Sequence, residues 1–397
     1  MNILFVNDIP FNPIGGGIER VTDVLAKGLI KRGYKVYYLC GKLPQSKQYL
    51  LNYDFPAQLY QLPQFGLFEN EDNILYYKNL QDELEIDVVV NQRGLGGWFN
   101  GLLPITQTKI VSVIHSVPDG DVRMFLNKLV ELTVPPFEKI KKFIKIKLSS
   151  VIKAYWKRKA LEDAKTYYNE LAQYSDVIVT LSRGDIDMLN RLIGITKKTK
   201  IINIPNPNTF DQINTISEPK KKILLYVGRL EKTEKEPLRL LKIWNILHKK
   251  HPDWQLKIVG DGEERNAMKN YVESQKINNV FFKGRKVDVS KYYREASFVC
   301  LTSNFEGWGM SLTEGMQYGC VPFTFGNYGA AYEIIDDGVN GCIIPAFDIK
   351  LYARRLSELM ENKDKCMAMS KAAIEKVQLF SVEEIVDKWE EMLNSLN

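Results

Sequence analysis

Along the chain, short runs rich in β-branched and aromatic residues alternate with longer stretches whose apolar positions recur every three or four residues. In the first half, ILFVN (Ile3 to Asn7), KVYYL (Lys35 to Leu39), DVVVN (Asp87 to Asn91), KIVSVIH (Lys109 to His115), DVIVTLS (Asp176 to Ser182) and KIINIPN (Lys200 to Asn206) read as strands, and Ile18 to Arg32 reads as a helix. A second series follows with KILLYVG (Lys222 to Gly228), QLKIVG (Gln255 to Gly260), VFFKG (Val280 to Gly284), FVCLTS (Phe298 to Ser303) and VPFTF (Val321 to Phe325). Short apolar strands alternating with amphipathic helices indicate parallel sheets covered on both faces. Between the two series, Pro205 to Pro219 is rich in Pro, Asn, Thr and Ser and loses the periodicity, so it reads as a linker. The expected architecture is α/β, with Rossmann-like domains at 1–205 and 220–380, a linker at 206–219 and a last helix within 381–397.

Bulk properties agree with that reading. A chain of 397 residues, 45% apolar and 26% charged, is long enough for two buried cores. Its five cysteines are odd in number, scattered and without CxxC spacing, which suits a reducing compartment. MNILFVNDIP reads as a first strand rather than a signal peptide, and no run approaches the roughly 18 apolar residues of a membrane span. The net charge of +6 is modest, and no nucleic-acid module accompanies it, so nucleic acid is not an expected partner. The charge is instead concentrated in 137–160, where KIKKFIKIKLSSVIKAYWKRK (Lys139 to Lys159) interleaves lysines with Phe143, Ile144, Leu148, Ile152, Tyr155 and Trp156. Such a basic amphipathic helix can lie on an anionic membrane surface, or its apolar stripe can pack on the protein's own core.

Ligands of open α/β sheets collect beyond the carboxyl ends of the strands, and the unusual residues fall there. After the first strand, Gly15-Gly16-Gly17-Ile18-Glu19-Arg20 opens a helix, where bare backbone N–H groups and the helix dipole can meet an anion or a sugar. The spacing is not the GxGxxG of a dinucleotide fold. In the second half Gly228-Arg229 ends a strand with Lys235 six residues beyond, so a guanidinium fork and an ammonium point charge can reach one diphosphate. FEGWGMSLTEGMQYG (Phe305 to Gly319) then places Glu306 in a glycine-rich loop and Glu314 eight positions later in the helix that follows. The amides of Gly307, Trp308, Gly309 and Met310 can face a phosphate or sugar, while two carboxylates suit a polyhydroxylated ligand. Asp119-Gly120-Asp121 has the form of a metal-chelating DxD pair, but reads as a turn.

With IVGDGEER and AAYEIIDDGVNGCIIP, these pieces identify the chain as a member of the retaining glycosyltransferases of the GT-B fold, glycosyltransferase family 4 (glycosyl transferases group 1), over nearly its full length. The resemblance implies that Arg229 and Lys235 bind the donor diphosphate, Glu314 the nucleotide ribose and Glu306 the donor sugar's hydroxyls. It places His115 near the donor sugar, Gly16 and Gly17 near the donor phosphate or the acceptor, Glu19 on the acceptor side, and Gly284 and Arg285 at the nucleobase. Many members carry the lysine where this chain has Glu234, so Lys235 is its counterpart after a one-residue insertion. The expected reaction moves a hexose or N-acetylhexosamine from a nucleotide-diphosphate sugar, UDP before GDP, to a glycan or lipid-linked acceptor of bacterial surface polysaccharide. Neither metal nor cofactor is expected, the final helix should cross back to the first domain, and the setting is the cytoplasm at the inner face of the membrane. The competing readings are a nucleotide-sugar epimerase or other GT-B-like enzyme, and a non-catalytic sugar-binding protein at the membrane surface.

Overall fold

The computed structural model describes residues 1–65, 70–93, 102, 108–120, 139–193, 199–211 and 219–396, with backbone alone over 139–153. Asp121, residues 137 and 138, and half of the linker (212–218) lie outside the described residues. Two parallel sheets organise the chain. The first contains β1 (Asn2–Asn7), β2 (Lys35–Cys40), β3 (Gln58–Gln61), β4 (Val88–Asn91), β5 (Lys109–Ile114), β6 (Val177–Thr180) and β7 (Lys200–Asn203), in the order β3-β2-β1-β4-β5-β6-β7. The second contains β8 (Lys221–Val227), β9 (Gln255–Val259), β10 (Val280–Gly284), β11 (Ala296–Cys300), β12 (Val321–Phe325) and β13 (Cys342–Ile344), in the order β10-β9-β8-β11-β12-β13. Both orders reverse direction once, between β1 and β4 and between β8 and β11, which opens a crevice at the strands' carboxyl ends.

The apolar runs explain the layering. On β1, Ile3 and Phe5 point into the large core shared with the helix Gly17–Lys31, whereas Leu4 and Val6 point to the opposite face against Tyr77 and Leu80 of the helix Glu71–Glu83. One strand thus buries both faces, which is why its sequence is uniformly apolar. Helix starts are set by side-chain caps: Ser182, Asp348 and Ser381 accept hydrogen bonds from the backbone N–H groups of Asp185, Leu351 and Glu384.

The last helix, Val382–Asn394, packs on the helix Gly17–Lys31 of the first sheet's layer. Its Trp389 lies 6.4 Å from the ring of Phe5, and Arg32 pairs with Asp387 and Glu390. Truncating a buried Trp to Ala costs roughly 3–5 kcal/mol, so this seam is a substantial bond between the two halves. The basic segment belongs to a single helix, Lys139–Tyr174. Its end packs on the sheet through Tyr168, Leu171 and Ala172, with Ile114 and Ile178 beneath. Toward its middle, Lys157, Arg158 and Lys159 are exposed, as is Tyr155, whose ring meets Trp156 edge-on at 5.6 Å. Among the described residues, no helix is long and apolar enough to cross a membrane.

Candidate active site

The carboxyl ends of β8 and β11 supply the charged groups. The loop after β8 is closed by Glu236 N–H donating to the Glu231 carbonyl at 2.9 Å. Asn304 then ties it to the loop after β11, its N–H donating to the Glu234 carbonyl (2.7 Å) and its Nδ2 to the Thr233 carbonyl (2.9 Å). That fixed distance brings Lys235 Nζ to 2.9 and 2.8 Å from the two oxygens of Glu306, which also accepts from Ser303 Oγ at 2.6 Å. Glu306 is only 7% exposed, and its charge is matched locally, as a buried carboxylate requires. Burial pushes the Lys235 ammonium down, but Glu306 and Glu234 more than offset it and hold its pKa above the ordinary lysine value.

Arg229 stands on the same loop but further out, with its side chain 62% exposed. It donates to Glu231 Oε2 at 2.6 Å and to Glu234. The other oxygen of Glu234 lies 2.6 Å from Lys235 Nζ, so the charges run Arg229, Glu234, Lys235, Glu306 in alternation.

Glu314 lies in the helix Met310–Gln317, which begins after Gly309 with φ of 95°. Three groups hold this 3%-exposed carboxylate: Tyr293 Oη donates to Oε2 at 2.8 Å, and Thr209 Oγ1 and Arg20 both donate to Oε1, at 3.1 and 2.7 Å. Burial, together with the charge of Glu314, raises the Tyr293 pKa well above normal and keeps it a donor. Tyr293 comes from the second half, Thr209 from the start of the linker and Arg20 from the glycine-opened helix of the first half. Their meeting on one carboxylate is not legible from spacing.

The first half approaches this helix directly. A Cβ placed on Gly17 would lie 3.9 Å from Met310 Cγ, and Arg285 donates to the Ile14 carbonyl at 2.8 Å. A Cβ on Gly307 would lie 2.0 Å from the His115 carbonyl, so only glycine admits this contact between the loops. The contacts across the cleft therefore join Gly17 to Met310, Gly307 to His115 and Arg20 to Glu314, and Arg285, next to Gly284 at the end of β10, reaches Ile14 beside the glycine loop. Trp308 turns its ring inward, edge-on to Phe380 at 5.0 Å, leaving its backbone at the loop.

Glu19 is buried directly beneath the glycine loop, where a Cβ on Gly16 would lie 2.7 Å from its Oε2, and it accepts from Asn7 Nδ2 at 3.1 Å. Burial raises its pKa, with the Asn7 hydrogen bond opposing. His115 Nε2 donates to Gln92 Oε1 at 2.5 Å, and burial lowers the ring's pKa to about 4, so the imidazole is neutral at physiological pH. Among the described residues, no group of three or more His, Cys, Asp or Glu side chains is placed to hold a metal ion.

Two Rossmann-like halves face a cleft with their glycine loops and helix amino termini in contact, which is the GT-B architecture. An Anabaena protein, HepE, crystallised with UDP and glucose, has the same fold: the TM-score is 0.72 at 18% identity, covering 100% of both chains. The sequence profile "Glycosyltransferase Family 4" matches residues 15–207 and "Glycosyl transferases group 1" matches 208–376. The chain belongs to this glycosyltransferase family. An uncharacterized glycosyltransferase of Haemophilus influenzae is 32% identical over 219 residues, 55% of this chain and 61% of that protein. The poly(glycerol-phosphate) alpha-glucosyltransferase of Bacillus subtilis is 27% identical over 197 residues, 48% of this chain and 29% of that one. The chain thus matches about three fifths of the first relative's length and under a third of the second's.

Proposed function

We propose that the chain transfers a hexosyl or N-acetylhexosaminyl group from a UDP-sugar, with GDP-sugars second, to a glycan or lipid-linked acceptor in bacterial surface-polymer synthesis. The transfer retains anomeric configuration and uses no metal. The observation that carries this reading is the alternating charge chain ending on Glu306, set beside the amino end of the helix that bears Glu314 and facing the glycine loop. In this reading Arg229 and Lys235 meet the diphosphate and stabilise the charge it gains on departure. Glu314 takes the ribose hydroxyls and Glu306 those of the sugar. Residues 1–205 form the acceptor domain and 220–380 the nucleotide-sugar domain, closing about the 206–219 linker.

Glu306 is already engaged by Lys235 and Ser303, which supports a binding role over that of a nucleophile. The bond from the anomeric carbon to the phosphate oxygen breaks, the acceptor oxygen bonds to the same face, and the departing phosphate takes the acceptor's proton. Mass spectrometry of the enzyme quenched during turnover should find no glycosyl adduct; a stoichiometric adduct overturns this route. The name of the Bacillus subtilis relative supports a phosphate-containing polymer as acceptor. The exposed Tyr155, Lys157, Arg158 and Lys159 support contact with an anionic membrane, which binding to phosphatidylglycerol vesicles tests.

The deciding experiment is calorimetry of UDP, GDP and ADP, with EDTA present, against the wild type and Glu314→Ala. Binding of one nucleotide by the wild type, weakened at least tenfold by the substitution, supports the reading and names the donor base. Absence of binding, or equal binding by the variant, removes the donor site.

A further inference from the structure

We propose that Glu234 is a built-in counter-anion, holding Arg229 and Lys235 in the absence of donor and yielding them to the donor's diphosphate, so that it sets donor affinity and product release. The inference rests on the donor-site reading above. Its two carboxylate oxygens are divided between the two cations, one on the Arg229 guanidinium and one 2.6 Å from Lys235 Nζ. A phosphate bridging an arginine fork and a lysine presents the same arrangement of two anionic oxygens on one centre. The two ligands therefore compete for the same cation faces.

The backbone at Glu234 is fixed while its side chain is not. Its carbonyl accepts from Asn304 N–H at 2.7 Å, and Asn304 is itself held by Arg239, which donates to Oδ1 at 2.9 Å. Among the described residues, the carboxylate accepts from no donor other than the two cations, and it is 26% exposed, so rotation about the side chain alone releases them toward solvent. Burial pushes the Glu234 carboxyl up, yet Lys235 and Arg229 more than compensate and hold it below the usual glutamate value, so it is ionised at neutral pH. Glu306, by contrast, is enclosed and tied to Ser303, and it stays with Lys235. Among the described residues, the Glu231 carboxylate pairs with one of the two cations, Arg229, and its removal should matter less.

The test is calorimetry of UDP against wild type, Glu234→Gln and Glu231→Gln, with donor KM and kcat measured alongside. Gln keeps the shape and removes the competing charge, so UDP binding should tighten roughly tenfold in Glu234→Gln and about twofold in Glu231→Gln. Donor KM should fall without a rise in kcat, because UDP now leaves more slowly. Glu234→Ala is the second variant, and it should tighten binding in the same direction. UDP binding that is equal or weaker in both Glu234 variants, with the wild type still binding, overturns the counter-anion and makes Glu234 a group that aligns the cations. A wild type that binds no nucleotide overturns the donor-site reading itself.

Discussion

The two sides of the cleft manage their polar groups in opposite ways. After β8 and β11, five charged side chains, Arg229, Glu231, Glu234, Lys235 and Glu306, pair with one another within two loops stapled together by Asn304. After β1, β4 and β5, one half-exposed ion pair, Arg93 on Asp8, stands beside hydrogen-bonded groups that are buried or half-buried, with Asn7 on Glu19 and Gln92 on His115, and each of these comes from a different strand or helix. A set of mutually paired charges can exchange partners with an anion, which fits the proposed donor side. Buried neutral polar groups are instead held in one arrangement by hydrogen bonds that are costly to leave unmade. That rigidity fits a surface that positions an acceptor.

The largest effect expected from this contrast is at Lys235. Lys235→Ala leaves the enclosed Glu306 with Ser303 alone among the described residues, and removing one partner of a buried ion pair costs about 3–5 kcal/mol. The melting temperature should fall clearly, and kcat by roughly a hundredfold or more. Arg229→Ala should weaken donor binding while leaving the melting temperature almost unchanged, because the guanidinium is largely solvated. Paired thermal melts and UDP-release kinetics check this. Equal destabilisation by both substitutions would break the distinction between an enclosed and a displaceable cation.

A middle-sized effect is expected where the two sides touch. Tyr293→Phe removes the donor to Glu314 Oε2 and leaves that buried oxygen unsatisfied, at a cost of about 1–3 kcal/mol. Arg20→Ala removes the contact to Oε1 that comes from the other half. Both should weaken UDP binding, but only Arg20→Ala should increase the radius of gyration by small-angle scattering. Expansion in both variants would mean that Glu314 is oriented chiefly from across the cleft.

The same contrast explains what the sequence could disclose. Arg229, Lys235, Glu306 and Glu314 fall in two short segments, each beside a strand end, where residue type and spacing carry the signal. Two of the four edge strands were missed: β3 is QLYQ, with polar residues at both ends and no apolar run, and β13 has three residues, too few for a period to register. Tyr293, Thr209, Gln92 and Asn304 were missed for another reason. Each acts on a residue far away in sequence, and a lone Tyr or Asn in a helix or loop has no pattern of its own. Arg20 was visible in the glycine motif, but its partner lies 294 residues on, and only the packing of the two halves joins them. The basic segment registered as a helix over 137–160, whereas the helix runs to Tyr174, because its later turns exchange lysines for the apolar contacts of Tyr168 and Leu171.

The smallest expected effect separates the sides by pH. Burial places the folded-state pKa of His115 at about 4, below the ordinary value of 6.5, so folding favours the neutral ring. The resulting stabilisation is fully present above the unfolded value and is lost as pH falls from about 6.5 toward 4, because the unfolded chain takes up the proton first. His115→Gln removes that titration. Its melting temperature should therefore fall less steeply than the wild type's between pH 6.5 and 4 and run parallel above pH 7. Wild-type kcat should show no inflection near pH 6.5 from this residue. If the two melting curves stay parallel through the acidic window, His115 titrates as a solvated imidazole. The acceptor side would then be as accessible to water and exchange as the charged loops opposite, and the contrast between the two sides would rest on Glu19 and Asn7 alone.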